Sequence, residues 1–378
     1  MAKFDPTNPA PPVTKISVYE TEGRLDPGIE TKSSERRRRF PRSTAQGRER
    51  IAAERHNMIA FVTGGAGFLG SHLCDRLIAE GHRVIAFDNF VTGARRNLDA
   101  ALASGHCTLV EADVSEPLDL TRLAPELRTP HLIMHFASPA SPVDYGRDPI
   151  GTLRVNAFGA AHLCTLAATT GARFLLASTS ETYGDPLEHP QRETYWGNVN
   201  PVGTRACYDE AKRFAEAYVT SAVRALGIDG RVVRIFNTYG PRMQPGDGRV
   251  IPNFCMSALR GEPLTIYGNG VQTRSFCYVD DLIDGIVRFA LAPDCAGAVI
   301  NIGNPDEFTI AELARIVAES VGVPLAFEER PLPPDDPTRR RPDITIARGR
   351  LGWEPRIDLR TGLEATIAYF RNEVLART

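Results

Sequence analysis

From Met58 onward, short aliphatic runs alternate with stretches of helical period, and the residues before it show neither pattern. MIAFVTG (58–64), HRVIAFD (82–88), CTLVEAD (107–113), HLIMHFA (131–137), ARFLLAST (172–179) and GRVVRIF (230–236) are almost continuously apolar, as expected of strands buried on both faces. Helices are predicted between them around 68–80, 149–170 and 207–226. This alternation predicts an α/β fold, a doubly wound parallel sheet with helices on both sides. Turn residues become dense in NTYGPRMQPGDGR (237–249), and short helices then mix with Pro-rich loops to the end. Residues 58–236 are therefore expected to form mainly a nucleotide-binding domain. Residues 237–378 are expected to form mainly a smaller lobe that completes a cleft. There is no internal repeat.

Residues 1–57 are rich in Pro, Thr, Glu and Arg, include the run ERRRRFPR (35–42), and carry twelve Lys/Arg against eight Asp/Glu. They are expected to be a disordered basic extension, read either as an arm for an anionic partner or as a solvated tail; a start at Met58 is the third reading. Over the whole chain 44 basic residues meet 46 acidic ones, so no overall field draws it to nucleic acid or an anionic membrane, and neither partner is expected. No run approaches the length of a membrane helix. Seven cysteines (74, 107, 164, 207, 255, 277, 295) lack any CxxC or zinc-ligand spacing. They read as reduced thiols of a cytoplasmic protein without a structural metal.

Chemistry enters at TGGAGFLG (63–70), where Gly64, Gly67 and Gly70 recur every third residue between a strand and a helix. A turn of this kind brings backbone N–H groups and the positive end of a helix against a pyrophosphate, which a Cβ would block. Phe68 and Leu69 belong to the same turn. Asp88, ending the next strand, is placed to accept hydrogen bonds from ribose hydroxyls and to repel a 2′-phosphate, so NAD is favoured over NADP. Asn89 follows it. Asp113 reads either as a partner for the adenine amino group or as a turn residue, with Val114 beside it. Ala137, in the small-residue stretch HFASPAS (135–141), leaves room for the flat middle of a cofactor. Asn156 reads equally as a cofactor support and as a buried structural amide.

Tyr208 and Lys212 form YxxxK on a predicted helix, one turn apart on one face. A lysine ammonium there is expected to stabilise phenolate and make Tyr208 a base near neutral pH. The strand ending LLASTSETYGD (175–185) supplies Thr179 to bond the same substrate hydroxyl, with Ser180 and Glu181 beside it, although such a cluster also reads as turn chemistry.

With these motifs in hand, about 320 of the 378 residues resemble an extended short-chain dehydrogenase/reductase acting on a nucleotide sugar. ASTSETYGDPLEHPQ, YWGNVNPVGTRACYDEAKR, RIFNTYGPRM, DGRVIPNF, LTIYGNGVQTRSF, RRRPDITIAR and LGWEP are most similar to the UDP-glucuronate decarboxylases (UDP-xylose synthases). The resemblance implies a Rossmann-type NAD-binding domain and a nucleotide-sugar lobe. It implies Thr179, Tyr208 and Lys212 as the oxidation triad, Glu181 and Arg274 as the decarboxylation pair, and Ser180 as assistant. Arg205, Asn237, Arg242, Tyr267, Gln272, Arg274 and Arg340 are implied as substrate-binding residues, with Asp343 close by. Within the family, dehydratases are expected to carry Asp-Glu after the threonine and simple epimerases to lack the glutamate; here the pair is Ser180-Glu181.

Arg274 reads either as facing the substrate's carboxylate or as pairing with Asp280 or Asp281 at the surface. The implied reaction is redox-neutral conversion of UDP-glucuronate to UDP-xylose by oxidation at C4, loss of carbon dioxide and reduction. A 4-epimerase, a 4,6-dehydratase or an enzyme releasing the 4-keto-pentose would use the same oxidation. A cofactor-sensing scaffold with a degenerate site would be expected to lose the triad, which this chain keeps. The family further implies a homodimer through the helices around 149–170 and 207–226.

Overall fold

β1 (Ile59–Thr63) leads through the glycine turn into α1 (Phe68–Ala79), and strands and helices then alternate: β2 (Arg83–Asp88), β3 (Cys107–Glu111), β4 (Leu132–His135), α2 (Pro149–Thr170), β5 (Arg173–Thr179), α3 (Ala206–Leu226) and β6 (Gly230–Ile235). Later in the chain come α4 (Val279–Leu291) and β7 (Val299–Ile302). This computed structural model describes residues 57–333 and 335–375, so the readings made for residues 1–56 lie outside the described residues.

The seven strands form one parallel sheet in the order β7-β6-β5-β4-β1-β2-β3. Side-chain alternation assigns its two faces. Phe61, Ile85, Ile133 and Phe174 pack with Leu163 of α2 and Val219 of α3. Val62, Ala86, Met134 and Leu175 turn the other way, toward Leu73 of α1 and Leu282 and Phe289 of α4. Both faces are thus covered, which is why the strands read as continuous apolar runs.

Local signals explain the helix ends. At α2 the Asp148 carboxylate accepts the Gly151 N–H (2.8 Å), Pro149 opens the first turn, and Gly171 closes the helix at φ +74°. At α4 the C-terminal carbonyls are collected by Arg231 of β6, whose buried guanidinium donates to Phe289 O (2.6 Å) and Ala292 O (2.8 Å) while pairing with Asp229 (2.8 Å). The chain returns to the large sheet after 237: α4 and the edge strand β7 come from the region that the sequence assigns mainly to a smaller lobe.

In that lobe, Thr273–Ser275 lies between Glu307–Thr309 and Arg339–Arg340, and the register sets Arg340 beside Arg274. Within the sheet β1 pairs with β2 on one side and β4 on the other, so the winding direction reverses there. The crevice at the carboxyl ends of these two strands is where ligands bind in open α/β sheets.

Candidate active site

A cavity of about 840 Å³ opens at that crevice. Its first wall is the glycine turn. Gly64 stands at φ +69°, and a Cβ there would lie 2.7 Å from Ala137 N; a Cβ on Gly70 would lie 2.0 Å from Gly64 O. A Cβ at either position would strike backbone, so only glycine lets the turn close this tightly ahead of α1. Asp88 is held at the next strand end, one oxygen accepting the Ala66 N–H and the other the Phe90 N–H, each at 2.8 Å. Burial raises its pKa.

Gly64, Gly67, Phe68, Leu69, Gly70, Asp88, Asn89, Asp113, Val114 and Ala137 all line this end. Asp113 also accepts the Ser115 N–H at 2.9 Å, so it is a turn residue as well as a wall residue. Asn156 does not reach the wall. It is wholly buried and donates to Ser138 Oγ (2.9 Å) and Thr152 O (2.8 Å), the structural amide of the two readings, bracing a serine that does line the cavity.

At the far end β5 delivers Thr179, the following turn carries Ser180 and Glu181, and α3 presents Tyr208 and Lys212; all five line the cavity. Thr179 stands close enough to the Tyr208 phenol to favour its ionised form. Lys212 Nζ donates to Ala177 O (2.9 Å) and lies 5.8 Å from the Tyr208 ring centroid. Burial brings Lys212 down to about 7, and burial also raises the Tyr208 phenol, with Thr179 opposing and Glu181 and Asp209 reinforcing. The sequence reading of a phenol lowered by its lysine thus meets a larger opposing effect, desolvation of both groups.

The electrostatic centre is Glu181. Its carboxylate meets Arg205 at 2.5 Å and Arg340 at 3.5 Å. Burial alone would raise its pKa, but the guanidiniums of Arg340, Arg205 and Arg274 hold it down at about 2. Asp209, next to Tyr208 on α3, is pushed up to about 7 by burial and by Glu181.

Arg274 pairs with neither Asp280 nor Asp281. Its partner is Asp336 (2.9 Å), while Asp281 receives the N–H groups of Arg356 and Ile357. Arg205, Asn237, Arg242, Tyr267, Gln272 and Arg274 line the lobe side. Arg340 does not: only 1% exposed, it sits behind the wall and donates to Ser180 O and, at 2.9 Å, to Gly184 O. Its position fits a brace for the Ser180–Tyr183 turn rather than a hand on the substrate. Asp343 pairs with Arg192 (3.4 Å) and is not a wall residue.

Among the wall residues that the sequence did not single out are Tyr145 and Asp336. Tyr145 lies in SPVDYGRDP, whose tyrosine has no spacing relation to Tyr208; Asp336 lies in a proline-rich loop that reads as a spacer. Among the described residues no group of His, Cys, Asp or Glu is placed to hold a metal ion.

Residues 60–303 match the model of the NAD dependent epimerase/dehydratase family. The chain belongs to that family. Its curated relatives include UDP-glucuronic acid decarboxylase 1 of Arabidopsis thaliana, 48% identical over 87% of this chain and 73% of that protein. UDP-glucuronic acid decarboxylase 1 of Xenopus tropicalis is 47% identical over 86% of this chain and 75% of its own length. Among solved structures of the family, UDP-glucuronic acid 4-epimerase from Bacillus cereus, in complex with UDP-glucuronic acid and NAD, superimposes with a TM-score of 0.76 at 27% identity, covering 84% of this chain and all (100%) of that one. The glycine turn at the N-terminus of α1, which lines the cavity, and the acid at the end of β2 fit the cofactor this family is named for.

Proposed function

We propose that this chain is a UDP-glucuronate decarboxylase that forms UDP-xylose with a retained NAD. The observation that carries this reading is the sugar end of the cavity, where a tyrosine–threonine pair stands beside Glu181 and two wall arginines, Arg205 and Arg274. Cationic side chains there suit a substrate with a carboxylate next to the carbon being oxidised.

Tyr208 is the base for the C4 hydroxyl, with Thr179 bonding the same oxygen; Lys212 and the positive charge of a bound NAD⁺ would offset the desolvation that raises the phenol. The glycine turn and Asp88 would hold NAD, whose chemistry would be to accept hydride from C4 and later return it. With a ketone at C4, the bond from C5 to the carboxylate breaks and its electron pair passes into an enolate. Tyr208 and Thr179 hydrogen-bond the enolate oxygen. Glu181, whose ionised form the surrounding arginines favour, is suited with Arg274 to position the water that protonates C5.

Asn237, Arg242, Tyr267 and Gln272 are proposed to hold the UDP moiety; Gln272 is fixed by its bond to Tyr267 O (2.7 Å). Exposed Phe158 on α2 and Phe214 on α3 support a homodimer through these two helices. Among the described residues no helix is long and apolar enough to cross a membrane, and the free thiols suit a cytoplasmic setting.

Incubation with UDP-glucuronate and NAD⁺, followed by NMR of the sugar and absorbance of NADH, tests the reading. UDP-xylose without accumulating NADH is the expected result. A 4-keto-pentose with rising NADH, or UDP-galacturonate, replaces it with a releasing decarboxylase or a 4-epimerase.

A further inference from the structure

Asp336 has a use that the reaction itself does not require. One of its oxygens lies 2.9 Å from Arg274 Nη2 and the other 3.5 Å from Arg205 Nη1, so a single carboxylate bridges both wall arginines at the sugar end. Arg205 is shared with Glu181 at 2.5 Å. In this arrangement both wall guanidiniums already face a carboxylate of the protein, with only Arg205 Nε, among the buried donors of the pair, left without a hydrogen-bond partner.

The two acids differ in how replaceable they are. Glu181 follows directly on β5, beside Tyr208, and is clasped by Arg205 and Arg340. Asp336 sits in the loop between Phe327–Arg330 and Arg339–Arg340, its side chain 25% exposed against 12% for Arg274 and 16% for Arg205. A carboxylate on a loop, facing the cavity and holding a pair of arginines, has the same chemistry as the group the substrate brings.

We propose that Asp336 is an internal stand-in for the substrate's carboxylate: it holds Arg274 and Arg205 ready, cedes them when UDP-glucuronate binds, and recovers them once carbon dioxide has left. This deepens the decarboxylase reading and rests on it. Two consequences follow from charge alone. Displacing Asp336 costs affinity only for ligands that carry a carboxylate, so part of the binding energy is withheld from the ground state that must lose that group. The product lacks the carboxylate, so Asp336 re-pairs without competition and the arginines do not hold the product back.

The test is the affinity of NAD-loaded protein for UDP-glucuronate, UDP-xylose and UDP by calorimetry, with kcat and KM, in wild type, D336N and D336E. D336N keeps the size and removes the charge. It is expected to bind UDP-glucuronate about tenfold more tightly and to turn it over more slowly, with UDP and UDP-xylose affinities unchanged and D336E close to wild type. Unchanged or weaker binding of UDP-glucuronate by D336N overturns the assignment, as does an equal change for all three ligands, which is the signature of a merely structural loop contact. Retained UDP affinity shows that the variant is folded. If wild type binds UDP-glucuronate but leaves it intact, the decarboxylase reading fails, while the affinity ratio still decides the role of Asp336. If wild type does not bind it, both fall.

Discussion

The rings of Tyr145 and Tyr208 stack face to face, their centroids 5.2 Å apart and their planes 8° from parallel. Tyr145 reaches this position from the short helix Pro142–Arg147, which Ser141 caps by accepting the Asp144 N–H (3.2 Å). The stack fixes the plane of the phenol whose oxygen must meet the C4 hydroxyl. Y145F keeps the ring and is expected to retain near wild-type kcat; Y145A frees Tyr208 and is expected to lower kcat about tenfold, since small misplacements at a reacting centre are costly. Equal kinetics for the two variants would show that the stack does not position the base.

Y208F removes the oxygen proposed as the acid–base group and leaves the packing. Turnover of UDP-glucuronate is expected to fall by roughly 10²–10⁴, the usual share of a positioned acid–base group. Binding of NAD and of UDP, measured by calorimetry, should be unaffected, and a Y208F enzyme with more than a tenth of wild-type kcat would place the base elsewhere.

Glu181 links the site to acid stability. Its carboxyl is held at about 2 against an ordinary 4.5, so the folded state stabilises the ionised form. That contribution is fully present above pH 4.5 and is lost as pH falls toward 2, because protonation then removes the partner of Arg340 and Arg205. E181Q is expected to lower stability at neutral pH and to flatten this part of the acid limb, read from urea unfolding at a series of pH values. Parallel limbs for E181Q and wild type would remove Glu181 from the ledger of acid denaturation.

Arg340 and Arg242 separate bracing from binding. Arg340 is buried and spends its donors on the Ser180–Tyr183 turn, so R340A should cost about 3–5 kcal/mol, the usual penalty for removing one partner of a buried ion pair, with a clear drop in Tm. Arg242 lines the cavity and pairs with Asp75 at 2.7 Å on a more exposed surface. R242A should leave Tm nearly unchanged and raise KM. If R340A melts like wild type and only KM rises, the arginine touches substrate after all.

Much of this arrangement is determined by local sequence. Strands buried on both faces cannot alternate, so the six predicted runs announce a covered parallel sheet, and α2 begins and ends at residues with capping chemistry. The glycine spacing, Asp88, and YxxxK behind a strand ending in Ser/Thr are likewise local, because each depends on a turn or on one helical face. What tertiary structure alone decided are relations between segments far apart in sequence. The return of β7 to the sheet, the stacking of Tyr145 on Tyr208, and the burial of Arg340 behind Ser180 have no periodic signature. Arg274 shows the reason most plainly. Its sequence neighbours Asp280 and Asp281 offered a surface pair as one of two readings, but a charge chooses its partner by distance through space, and the fold brings it Asp336 instead.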